Sequence, residues 1–99
     1  MASISSFDDF RITRSGEVYD YCGDINQKHI TVPNNVGYIK EEAFIDVGME
    51  EVTFPETLVE IEEKAFMDCL KLTTINIPSK VSTIKANAFY NCPKLQNIV

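Results

Sequence analysis

The chain has no tryptophan, one histidine, three cysteines and four glycines in 99 residues. Each shortage excludes something. A single histidine, His29, leaves few options for general acid–base chemistry. There is no G-x-S-x-G, no Walker phosphate loop, no H-E-x-x-H and no C-x-x-C, so the common nucleophile, phosphate and metal-hydrolase signatures are missing. Unbroken apolar runs are only a few residues long, too short for a membrane-spanning helix. The opening Met-Ala-Ser-Ile-Ser-Ser-Phe-Asp-Asp has neither a basic n-region nor an apolar h-region, so the chain as written reads as cytoplasmic and without a signal peptide. Ala2 in place of glycine excludes myristoylation. Basic residues are also scarce: nine Lys and Arg against fifteen carboxylates leave a net charge of −6 and a pI near 4.6. A sequence-independent nucleic-acid binder needs a basic face to displace counterions, and an anionic membrane surface attracts cations. Neither partner is expected.

Apolar residues are plentiful. They make up 44% of the chain, which suits one small packed domain, or part of one, and not a disordered tail. At this length the core must be thin. Charge is unevenly spread. Residues 1–40 carry five acids and four bases, residues 41–63 carry nine acids and no base, and residues 64–99 carry Asp68 against five lysines. Charges alternate with apolar residues through the acidic stretch, which marks a folded, solvated face. Glu41, Glu42, Glu56, Glu60, Glu62 and Glu63 form its candidate acidic patch, a surface for a basic partner.

Self-comparison exposes a repeat. Pro33, Pro55 and Pro78 are 22 and 23 residues apart, and so are Ile39, Ile61 and Ile84, the pairs Ala43-Phe44, Ala65-Phe66 and Ala88-Phe89, and Val47, Cys69 and Cys92. The register holds at ten positions, with one residue of slack between Val47 and Met49. Self-similarity at such a period is the mark of a solenoid. Leu72-x-x-Ile75-x-Ile77 alternates like a strand, and Pro78 then removes the next backbone donor and ends it. Val81-x-x-Ile84 reads as a second short extended segment. Ala88-Phe89 with Asn91-Cys92-Pro93 suits a short helical or 3-10 turn that closes the coil. Stacked at strand spacing, about 4.8 Å, equal positions superpose. Phe44, Phe66 and Phe89 then form a buried aromatic ladder and Ile39, Ile61 and Ile84 an aliphatic one. Ala43, Ala65 and Ala88 sit where only a methyl fits.

The pattern Leu-x-x-Ile-x-Ile-Pro-x-x-Val-x-x-Ile-x-x-x-Ala-Phe-x-x-Cys resembles the BspA-like (Treponema pallidum type) leucine-rich repeats over residues 30–99. The resemblance implies a leucine-rich repeat solenoid, mainly β with short helical or 3-10 turns. About three coils are expected, near 30–51, 52–74 and 75–97, behind an N-terminal capping hairpin at 1–29. Phe10-Arg-Ile12 and Val18-Tyr-Asp-Tyr21, joined through Ser15-Gly16, read as that hairpin. Coil one departs from the pattern with Val47 for the Cys and Met49 for the Leu, and the Gly that often follows the Ile is Lys40, Glu62 or Lys85. The edge at 98–99 is open, so residues 95–99 form an apolar strand free to pair with a second copy. Family members are mostly long, secreted or surface-attached, and act in adhesion and protein binding.

Repeat register also places a concave strip of variable strand positions: Lys28, His29 and Thr31, then Glu50, Glu51 and Thr53, then Thr73, Thr74 and Asn76, and finally Gln96 and Asn97. By the resemblance this strip binds another protein. Cys69 and Cys92 occupy equal positions in adjacent coils, where side chains point the same way along a ladder, so buried free thiols are expected in place of a disulfide. Cys22 and His29 alone do not make a metal site. The carboxylate pairs Glu41-Glu42 and Glu62-Glu63 fall at exposed, equivalent coil positions, where nothing raises a pKa for glycosidase chemistry. The expected function is therefore non-catalytic protein binding, without cofactor or metal. Two alternatives stand beside it: a small acidic cytoplasmic or phage-encoded inhibitor of a basic target, and a structural module that self-associates through its C-terminal edge.

Overall fold

The structure is a computed structural model and describes residues 7–98, with the backbone alone at Asn97 and Ile98. A 3-10 turn at Phe7–Asp9 leads into strands β1 (Phe10–Ile12) and β2 (Glu17–Tyr21). Then follow β3 (His29–Thr31), β4 (Tyr38–Ile39), β5 (Glu51–Thr53), β6 (Glu60–Ile61), β7 (Thr74–Ile75), β8 (Thr83–Ile84) and β9 (Asn97–Ile98). They form two sheets, ordered β1-β2-β4-β6-β8 and β3-β5-β7-β9. Every pairing is parallel except the antiparallel hairpin β1–β2. Consecutive strands of the chain alternate between the sheets, so each coil contributes one strand to each and the coils stack as a solenoid.

The strands are short because the sequence ends them. Pro33, Pro55 and Pro78 come two or three residues after the ends of β3, β5 and β7, and none can donate to a neighbouring strand. The hairpin turn depends on Gly16, whose φ of 80° is costly for a residue with a Cβ. A Cβ there would also lie 2.6 Å from the Asn35 carbonyl oxygen.

The coil corners differ from the expected helical turn. Among the described residues the only helical element is the 3-10 turn at Phe7–Asp9. The corners do carry i→i+3 bonds, such as Ala65 N–H to Glu62 O at 3.3 Å and Met67 N–H to Lys64 O at 3.2 Å. Left-handed residues break each series before a helix can continue: Glu42 and Asp46, Lys64 and Asp68, Asn87 and Asn91, with φ between 56° and 62°. The corner amides then turn outward along the stack. Phe44 N–H donates to Ala65 O and Phe66 N–H to Ala88 O, both at 2.8 Å. Corners are thereby hydrogen-bonded from coil to coil as the strands are.

The core is a set of ladders. Ile39 and Ile61, Ala43 and Ala65, and Phe44 and Phe66 are buried. Phe44 and Phe66 stack at 4.8 Å between ring centroids, and Phe66 and Phe89 at 5.3 Å. Two expectations need adjustment at the third coil. Phe89 is only half-buried and Ile84 is 43% exposed, because among the described residues no coil lies beyond them. The aromatic ladder also has a fourth rung: Tyr21 stacks on Phe44 at 5.6 Å, with Phe10 edge-on to both.

Candidate functional site

The sheet β3-β5-β7-β9 positions the strip. Its central ladder, Ile30, Val52 and Ile75, points inward and is buried. The flanking residues must then face away from the core, since successive strand side chains alternate. Register puts His29, Glu51, Thr74 and Asn97 in one row and Thr31 and Thr53 in another. Lys28, Glu50, Glu51, Thr53, Asn76 and Gln96 are exposed, and His29, Thr31, Thr73 and Thr74 are half-exposed. The side chain of Asn97 lies outside the described residues.

Part of the strip is organised across coils. His29 of the first coil reaches two side chains of the second: its Nε2 shares a 2.7 Å hydrogen bond with Thr53 Oγ1, and its Nδ1 lies 3.5 Å from Glu51 Oε1. Gln27 Nε2 donates to the His29 carbonyl at 3.0 Å. One coil further on, the Thr73 hydroxyl donates to the Glu50 carbonyl at 3.2 Å. The result is a polar row held partly by its own contacts, with Lys28, Glu50, Asn76 and Gln96 projecting beside it.

The residues of the acidic patch differ in exposure. Glu41, Glu42, Glu56 and Glu63 are exposed. Glu60 and Glu62 are not: their side chains keep 24% and 16% of their accessible surface, which corrects the expectation of an open Glu62-Glu63 pair. Both pair with Lys85, whose Nζ lies 3.9 Å from Glu60 and 3.4 Å from Glu62. Lys40 similarly lies 3.7 Å from Glu17. Lys40, Glu62 and Lys85 each follow the last residue of β4, β6 and β8, so register stacks a cation, an anion and a cation. Counting along the chain assigned no base to 41–63; the bases arrive from neighbouring coils. The signal was in the sequence, since Lys85 is 23 residues after Glu62.

The thiols are free, with Cys69 buried, Cys92 half-exposed and Cys22 exposed. Each motif cysteine bonds backwards by one coil: Cys69 Sγ donates to Phe44 O and Cys92 Sγ to Phe66 O, both at 3.1 Å. Contact with Cys92, then burial, push the Cys69 thiol well above its usual range. Tyr21, missed as a ladder member, lies 23 residues before Phe44. Its hydroxyl donates to Asp24 O at 2.9 Å. Burial first, then the charges of Asp9 and Asp24, push it up to about 12. Among the described residues no group of three or more His, Cys, Asp or Glu is placed to hold a metal ion, and no helix is long and apolar enough to cross a membrane.

Comparison with known proteins follows the same lines. No curated protein matches the chain. Among solved structures, a Treponema pallidum leucine rich repeat protein superposes with a TM-score of 0.87 at 26% identity, over 98% of this chain and 50% of that one. A leucine rich cell surface protein from Faecalibacterium prausnitzii shares the fold at a TM-score of 0.55 and 21% identity, over 90% of this chain and 30% of that one. The chain thus spans half the length of the first and less of the second. The BspA type leucine rich repeat region matches residues 15–99 in six copies, beginning inside the hairpin, and the chain belongs to that family.

Proposed function

We propose that the chain is a non-catalytic protein-binding module and that its contact surface is the strip across β3, β5, β7 and β9. The family supports the coarser half of this reading, since leucine-rich repeats of this type generally serve protein interaction. The observation that supports the finer half is the register of His29, Glu51, Thr74 and Asn97 in one row and Thr31 and Thr53 in another, polar residues that alternate with the buried Ile30, Val52 and Ile75. A sheet face of this kind offers donors, acceptors and charge to a partner, and its shape is set by the coils and not by the side chains displayed. Glu50 and Glu51 are its exposed anions, which favours a partner with a basic patch there.

The test is capture of partners from a native host lysate on the immobilised chain and on the double variant Glu50→Lys/Glu51→Lys. The variant should keep the parent's melting behaviour and lose its specific partner. A partner retained equally by both would remove the strip from the contact.

A further inference from the structure

The single residue of slack in the repeat has a structural product. Coils two and three close one corner with Cys69-Leu70-Lys71-Leu72 and Cys92-Pro93-Lys94-Leu95, whereas coil one uses the shorter Val47-Gly48-Met49. The short corner is drawn against the segment before β3: Gly48 N–H donates to Ile25 O at 2.7 Å. A Cβ at position 48 would lie 2.7 Å from that same oxygen, so the close approach needs glycine. Beside the short corner there is a notch of about 220 Å³, lined by Ile25, Val47, Gly48 and Leu70 together with the charged Asp46, Asp68 and Lys71. Its two walls stand in solvent, Ile25 at 55% and Leu70 at 53% exposure. Two large aliphatic side chains lining one hollow in solvent offer apolar surface to a third.

Size and charge narrow what fits. Small-molecule sites start at about 300 Å³, so the notch is scaled to one side chain of a partner. Of the residues that line it, Asp46 and Asp68 are anionic and Lys71 is cationic, and the adjoining strip adds Glu50 and Glu51 against Lys28. Four carboxylates against two ammonium groups favour a cationic segment. The geometry points to an anchor site for an aliphatic side chain flanked by Lys or Arg in a partner polypeptide, the side chain seated between Ile25 and Leu70 and the cations facing Asp46 and Asp68. This rests on the reading of the strip as a protein-binding face. Asn26, Gly48 and Lys71 lie two residues before the strip members Lys28, Glu50 and Thr73, so one partner would cover both. A buried anchor of this kind carries more binding energy than the polar contacts around it.

The experiment is an amide chemical-shift titration of the labelled chain with the peptide Ac-Lys-Leu-Lys-NH2. Controls are Ac-Lys-Ser-Lys-NH2 and Ac-Glu-Leu-Glu-NH2. Saturable shifts at Ile25, Gly48 and Leu70 are expected with the first peptide, at a Kd in the millimolar range, and not with either control. Leu70→Ser, which alters only an exposed side chain, should raise that Kd about fivefold while the rest of the spectrum stays in place. An equal response to the serine peptide would show charge attraction without an anchor and overturn the proposal, as would an equal response to the acidic peptide or no saturable shift at all. Shifts confined to Lys28, Glu50, Glu51 and Thr73 would overturn the notch and leave the strip standing. Notch shifts together with an unimpaired partner capture by Glu50→Lys/Glu51→Lys would do the reverse.

Discussion

The second and third coils carry nearly the same residues in the same register, yet one is core and the other is half surface. Ile61 and Phe66 have no accessible surface, whereas Ile84 is 43% exposed and Phe89 is half-buried. Val81, Cys92 and Leu95 are half-buried too, while their counterparts Leu58, Cys69 and Leu72 are closed off. At the other end the hairpin does for coil one what coil three does for coil two: Tyr21 stacks on Phe44 and Phe10 closes against both. Burial in a solenoid belongs to the interface between neighbours and not to the residue. The energetic weight of a motif position therefore depends on which coil it occupies.

That difference can be broken by matched truncations. Phe66→Ala should cost about 3–5 kcal/mol, enough to consume most of the stability of a chain this small. Phe89→Ala should cost about 1–2 kcal/mol, because part of its ring is already in water. Urea melts of the two variants decide it, and equal losses would mean the third coil is covered in solution. Ile61→Ala against Ile84→Ala repeats the comparison on strands β6 and β8, with about 2–4 kcal/mol expected for the first and under about 1 for the second. A smaller gap, with sedimentation showing a dimer, would place a second copy on the β8 and β9 edges.

The closed end has its own pH signature. Tyr21 is raised from 10.0 to about 12 by burial and by Asp9 and Asp24, so the fold favours the neutral phenol. Its contribution is fully present below pH 10, where the unfolded phenol is also neutral, and is lost as pH rises toward 12. Melting temperature should fall across that window, and Tyr21→Phe should flatten the fall. A slope unchanged by Tyr21→Phe would assign it elsewhere.

Smaller effects sharpen the corners and the charge ladder. Lys64 holds a φ of 58°, where asparagine is better tolerated than lysine. Lys64→Asn should stabilise by about 0.5 kcal/mol, while the neighbouring Glu63→Asn, which relieves no left-handed residue, should do nothing comparable. The Lys85 pairs with Glu60 and Glu62 are half-exposed, so Lys85→Ala should cost about 0.5 kcal/mol at low salt and less at high salt. A loss independent of salt would mean that Lys85 acts through its aliphatic stem.

The period of 22–23 residues, the recurring prolines and the Ala-Phe pairs specified the stack and its register in advance. They could do so because each coil repeats one local problem: where the chain turns, which side chain points inward and which donor is missing. The hairpin turn was legible for the same reason, through Ser15-Gly16. Three things were not. The pairing of Lys85 with Glu60 and Glu62 depends on contacts between residues 23 to 25 apart, which a tally of charges along the chain cannot contain. The left-handed corners at Glu42, Lys64 and Asn87 have no shared residue type to announce them. The notch at Gly48 arises where a deletion in one coil meets full-length corners in the next. The repeat thus determined what every coil is. Only stacking decided what each residue faces, because exposure, ion pairing and cavities are properties of two coils in contact.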